Sequence, residues 1–155
     1  MEIVIQRVKE ASVDVDNETV GSIKKGLLLL VGFSTQDSDI KPSELERISH
    51  KVLNLRCFSD KGGKMNLSVL DIKGQILAVS QFTLIANLKK GNRPSFVNAL
   101  EPRLALRYFD NFCDLLRKTV QVQKGIFGAD MQVNLLNDGP VTFIMNSDTI
   151  LGPRS

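Results

Sequence analysis

Between Leu27 and Phe33 the chain reads LLLLVGF, an apolar run that offers no polar face at any period. It is far shorter than the ~18 residues expected of a membrane helix. It has the length of a strand, and a strand without a polar face must be covered on both sides. That puts it at the centre of a sheet packed in layers. The flanking segments agree. EIVIQRV alternates, with Ile3, Ile5 and Arg7 on one face and Val4, Gln6 and Val8 on the other. ASVDVDNETVGSI reads as a hairpin turning at Asp16 to Glu18. Near the other end, Val133 and Leu135, then Val141, Phe143 and Met145, recur with period two.

Two stretches change period. From Ser43 to Arg56, Leu45, Ile48, Val52 and Leu55 form one helical stripe, and Ser43 with Glu46 fits a capping box. From Pro102 to Lys118, Leu104, Tyr108, Phe112 and Leu115 form another, with Pro102 suited to the first turn. With strands at both ends, the pattern predicts an α/β (α+β) single domain: a curved or barrel-like sheet carrying two main helices. The 155 residues are about one domain long, without repeats or low-complexity tracts. The amino terminus lacks the apolar core of a secretory signal, so the chain is expected in the cytoplasm and not in a membrane. Cys57 and Cys113 sit in apolar patterns as buried free thiols.

The usual catalytic chemistries are poorly supplied. His50 is the single histidine and falls mid-helix, so neither a serine triad nor an ordinary zinc site can be assembled, and no metal or cofactor is expected. DKGGK at Asp60 to Lys64 reads as a hairpin turn, not a phosphate loop. A net charge of +3 is a mild basic bias. Lys89, Lys90 and Arg93 cluster directly after an apolar segment, which suits either a solvated loop or contacts to phosphates.

Two stretches break their own pattern. In QILAVSQFTLIANLKKGNRPSF, the polar Ser80, Gln81 and Thr83 interrupt an apolar strand. In the pleat Ser80 and Phe82 would share one face, and Gln81 and Thr83 the other. The residues alone read equally as a strand leaving the core and as a site on a rigid strand. In NLLNDGPVTFIMN, Gly139 and Pro140 stand in the middle of a strand pattern, where a ladder normally excludes both.

SQFTL at Ser80 to Leu84 together with NDGPVT at Asn137 to Thr142 resembles the signature pair of the D-aminoacyl-tRNA deacylases. QRV at Gln6 to Val8, GKMNLS at Gly63 to Ser68, RPSF at Arg93 to Phe96 and FGADMQV at Phe127 to Val133 extend the likeness over nearly the whole chain. The resemblance implies a deacylase domain over residues 1–146, followed by a tail, 147–155, to which no role is assigned. It implies a homodimer that hydrolyses the ester between a D-amino acid, or glycine, and the terminal adenosine of tRNA in translation quality control. Gly139 and Pro140 would form a cis bond reaching into the partner's site to exclude L side chains, with Arg7 supporting that loop. Ser80, Gln81, Phe82 and Thr83 would form the catalytic segment, the amides around Phe82 and Thr83 facing the developing charge. Phe96, Phe127 and Met131 would wall the adenosine pocket, though each reads equally well as core. Lys89, Lys90 and Arg93 would face acceptor-stem phosphates.

Overall fold

The computed structural model describes residues 1–153. Its first strand, β1 (Glu2–Val15), turns through Asp16 and Asn17, both at positive φ, into β2 (Glu18–Ile23). Asp and Asn tolerate that conformation better than other side chains, which fits a two-residue hairpin loop. β3 (Gly26–Gly32) follows and pairs antiparallel with the first half of β1, from Glu2↔Gly32 to Val8↔Gly26. Then come α1 (Pro42–Leu53), the two-stranded β4 (Phe58–Ser59) and β5 (Met65–Leu67), and β6 (Gln75–Ser80). α2 (Pro102–Arg117), β7 (Gln121–Lys124), β8 (Gln132–Asn146) and the short α3 (Ser147–Leu151) complete the order.

Parallel neighbours need long crossovers. β3 and β6 are parallel and α1 lies between them in sequence; β6 and β7 are parallel and α2 joins them. The main sheet runs β2-β1-β3-β6-β7, and β8 pairs antiparallel along the other edge of β1. β2 also lies against β6 and β7, so the sheet curls until it is nearly closed.

The Leu27 run has the two-sided burial its composition requires. Leu27, Leu29 and Val31 join Ile3, Ile5, Ile76 and Ala78 beneath the helices, where Leu45, Ile48 and Val52 of α1 and Phe109, Phe112 and Leu116 of α2 cover them. Leu28 faces the other way, into the curl of the sheet, with Val8, Val13, Ile23, Leu77 and Val79. The helices depart from expectation in detail. α1 starts at Pro42, and Glu44 rather than Glu46 closes its cap by accepting from Lys41 N at 2.7 Å. Pro42 sets the first-turn φ one residue ahead of Ser43, which displaces the predicted box. The buried face of α2 is Tyr108, Phe109, Phe112, Cys113 and Leu116, with Leu104 and Leu115 at its margin. The described part of the tail, through Pro153, packs onto the body of the fold. The Met1 ammonium pairs with Asp37 at 2.7 Å and donates to Ser147 Oγ at 3.0 Å, and Arg47 Nη2 donates to Ile150 O at 2.9 Å. Arg154 and Ser155 of the predicted tail lie outside the described residues.

Candidate functional site

The polar interruption after β6 is where the pleat stops. β6 ends at Ser80, and Phe82–Ile85 is a 3-10 turn, closed by Leu84 N to Gln81 O at 3.3 Å and Ala86 N to Thr83 O at 3.2 Å. The expected alternation of Ser80 and Phe82 against Gln81 and Thr83 therefore does not hold, because Phe82 and Thr83 belong to a helical turn. The turn rests on β3. Gln81 N donates to Val31 O at 2.8 Å, and a Cβ on Gly32 would stand 2.8 Å from Gln81 O and 3.3 Å from Leu84 Cβ. Only glycine allows this approach. The first amides of a helical turn, here Phe82 and Thr83, have no acceptor within it.

A cleft of about 360 Å³ opens over this turn, lined by Ser80, Phe82, Phe96, Leu100, Phe127 and Gly128, with Gly32 and Phe33 at its base. Its size and apolar walls suit a small-molecule or nucleotide end. Phe82 and Phe96 meet edge to face, centroids 4.9 Å apart, and both remain exposed at the mouth. Met131, expected beside Phe127, is elsewhere. It packs against the inner cluster of the curled sheet, because the chain turns away from the cleft at Gly128 (φ +76). Lys89, Lys90 and Arg93 are exposed on the loop between the 3-10 turn and Phe96, whose ends are bridged by Asn87 and Ser95. A larger concavity of about 940 Å³ lies beside α1 and α3, but its rim carries Asp39, Glu44 and Asp148. It is chemically unsuited to a polyanion.

Gln81 Nε2 donates to Thr83 Oγ1. His50 lies exposed on α1 and lines no part of the cleft. Burial pushes the Cys57 thiol up, against the opposing charge of Arg7, and pushes Cys113 up to about 12. Neither is a thiolate at neutral pH.

The second motif forms a loop thrown out of β8. Gln6↔Thr142 and Val8↔Asn137 are paired, and residues 138–141 bulge out opposite Arg7. The Gly139–Pro140 peptide is cis, and Gly139 has φ +154. A Cβ there would sit 2.6 Å from both Val141 Cγ2 and Val141 N. Arg7 Nε donates to Asp138 O at 2.8 Å and Nη1 to Cys57 O at 2.7 Å. Arg7 thus holds the loop through Asp138 rather than through the Gly139 or Pro140 carbonyls. Two contributors were missed in the sequence. Gly32 had a signal, a lone glycine in a strand marking close backbone approach. Asn137 had a weaker one, an Asx residue at the edge of a turn.

The two motifs do not meet within one chain. Arg7 pairs with Leu27 at the start of β3, whereas Ser80 pairs with Val31 near its end. Four residues along β3 and three strand spacings across put loop and turn on the order of 20 Å apart along the surface of the sheet. Gly139 and Pro140 line no part of the cleft.

This fold and cleft define a class: single-domain α+β proteins with a nearly closed curved sheet and an aromatic-lined cleft at the end of its parallel strands. Comparison with known proteins narrows the class. The family model described as D-Tyr-tRNA(Tyr) deacylase matches residues 4–146, and the chain belongs to that family. It is accordingly a hydrolase acting on the ester bond of aminoacyl-tRNA. α3 lies beyond the matched region. Among solved structures, one described as c-Myc DNA Unwinding Element Binding Protein is 42% identical, with TM-score 0.86, covering 94% of this chain and 98% of that one. Another, described as a probable eukaryotic D-amino acid tRNA deacylase, shares the fold at TM-score 0.80 and 18% identity, covering 93% and 97%.

Proposed function

We propose that the protein hydrolyses the ester joining a D-amino acid, or glycine, to the 3′-terminal adenosine of tRNA and leaves L-aminoacyl-tRNA intact, in the quality control of translation. The observation that carries this reading is the 3-10 turn at the edge of an aromatic cleft that Phe82 lines, its first amides, Phe82 and Thr83, free of partners within the turn. Amides so fixed can receive the oxyanion of a tetrahedral intermediate without reorganising. The terminal adenosine fits between Phe82, Phe96 and Phe127, and Lys89, Lys90 and Arg93 meet the acceptor-stem phosphates.

The aminoacyl ester is already activated, and the neighbouring ribose 2′-hydroxyl lies within reach of its carbonyl. Positioning and charge stabilisation are then the protein's share of catalysis, and the substrate's own hydroxyl assists. Gly139 and Pro140 act from a second subunit, their carbonyls receiving the α-amino group and their backbone occupying the space of an L side chain. The separation of the two motifs along β3 supports this arrangement.

Deacylation of D-Tyr-, L-Tyr-, Gly- and L-Ala-tRNA tests the reading. D-Tyr- and Gly-tRNA are expected to be hydrolysed and both L substrates spared, because exclusion rejects a side chain but finds nothing to reject in glycine. Glycine spared as completely as L-alanine would remove the exclusion mechanism. A tRNA ending in 2′-deoxyadenosine is expected to react far more slowly. A second reading, nucleic-acid binding without hydrolysis, draws on the description of the 42%-identical structure. It requires equal binding of charged and uncharged tRNA and no turnover in the same assay.

A further inference from the structure

We infer that Asn137 is a positioning residue that aims the Pro140 carbonyl, and so sets the strictness of chiral selection; this rests on the deacylase reading above. Its side chain spans the neck of the protruding loop. Oδ1 accepts from Val141 N at 2.8 Å, while Nδ2 donates to Thr142 Oγ1 at 3.0 Å and to Val141 O at 3.3 Å. The Pro140–Val141 peptide is trans. In a trans peptide the C=O and the following N–H lie in one plane and point in opposite directions. Drawing the Val141 N–H onto Asn137 therefore turns the Pro140 C=O away from the neck and out of the loop. Pro140 is exposed, so the carbonyl is turned toward whatever the loop meets.

The preceding plane is held differently. Arg7 Nε bonds Asp138 O at 2.8 Å, which fixes the peptide joining Asp138 to Gly139. The planes on either side of Gly139 and Pro140 thus have separate anchors, one a cation on β1 and the other a neutral amide on β8 itself. Among the described residues, Asn137 is the side chain bonded to the plane that contains the Pro140 carbonyl. Its three bonds are separable. The acceptor Oδ1 does the aiming, and the donor Nδ2 braces the side chain against Thr142.

The experiment compares Asn137→Ala, Asn137→Asp and Thr142→Val with the wild type. The readouts are kcat/KM on D-Tyr-tRNA and L-Tyr-tRNA, and exchange of the Val141 amide hydrogen by NMR. Asn137→Ala removes the acceptor. It is expected to lower the D-to-L selectivity about tenfold, the scale of one well-placed hydrogen bond, and to speed Val141 exchange. Asn137→Asp keeps an oxygen facing Val141 N–H while losing the Nδ2 donor, and Thr142→Val removes the brace together with the long contact from Gln6 Nε2 at 3.4 Å. Both are expected to hold selectivity within about threefold of wild type and to keep Val141 protected. The inference is overturned if Asn137→Ala loses activity on both substrates with selectivity unchanged, which is a merely structural role. It is equally overturned if Asn137→Asp behaves as Asn137→Ala, or if Val141 exchange does not respond. A wild type that fails to prefer D-Tyr-tRNA would refute the deacylase reading instead, and amide exchange would still decide what Asn137 does to its loop.

Discussion

Thr83 is the side chain in the cleft segment most easily mistaken for a nucleophile. Its side chain is exposed and accepts from the Gln81 amide, and among the described residues Glu101 is the one histidine or carboxylate that lines the cleft. The Glu101 carboxylate is already engaged, accepting from Arg103 N at 3.1 Å and Leu104 N at 2.7 Å as the cap of α2. An alcohol without a base attacks poorly. Thr83→Ala is therefore expected to retain kcat/KM on D-Tyr-tRNA within about tenfold, the loss of one supporting contact. A trapped acyl-enzyme on Thr83, sought by mass spectrometry after rapid quench, would contradict this. Gly139 is the opposite case. A side chain there collides with Val141 at 2.6 Å and must take φ +154. Gly139→Val is expected to lower turnover by about a hundredfold or more, since misplacing a positioning group by an ångström costs that much. The chain should stay folded, because the loop lies outside the ladder, and circular dichroism melts check this.

Among the elements, the contact between β3 and the 3-10 turn places the proposed oxyanion amides. It depends on the absence of a side chain at Gly32, where a Cβ would meet Gln81 O at 2.8 Å. Gln81 O is backbone and cannot swing aside, so a larger residue must lift the whole turn. Gly32→Val is expected to destabilise by about 1–3 kcal/mol, as overpacking does, and to lower kcat by about a hundredfold. Urea unfolding and single-turnover deacylation read the two effects separately. A variant that is destabilised but turns over normally would show that the amides of Phe82 and Thr83 need no such placement.

At the scale of the whole molecule, the separation of the motifs along β3 makes a specific demand on assembly. If each site takes its turn from one subunit and its Gly-Pro loop from the other, two different defects can complement. A chain carrying Gly32→Val and a chain carrying Gly139→Val, each inactive alone, form mixed dimers in which one site has an intact turn and an intact loop. Co-refolding the two is expected to recover about a quarter of wild-type activity, since half the dimers are mixed and each has one good site. No recovery, with mixed dimers verified by mass spectrometry, would place loop and turn in the same chain. β8 also exposes Leu135, Leu136 and Ile144, the last at 79%, an apolar surface available to such an assembly.

Most of the elements can be read from the chain alone, though β7 and α3 carried no such signal. Period-two alternation marks both terminal strands, the unbroken Leu27 run demands cover on both faces, and two stripes of period 3.6 give α1 and α2. These are local consequences of where apolar side chains recur, so they can be read without the fold. The motifs were legible too, but as interruptions of pattern whose geometry was not. That Phe82 lies in a 3-10 turn rather than a pleat depends on Gly32, fifty residues earlier in the chain, letting the backbone settle on β3. That Met131 leaves the cleft, that Arg7 holds Asp138 rather than Pro140, and that Asn137 closes the loop on Val141 all depend on contacts across strands. Hydrophobic periodicity says which way a side chain faces, but it carries no record of which distant backbone atom it will meet. Only the curl of the sheet and the register of β1 against β3 and β8 decide that.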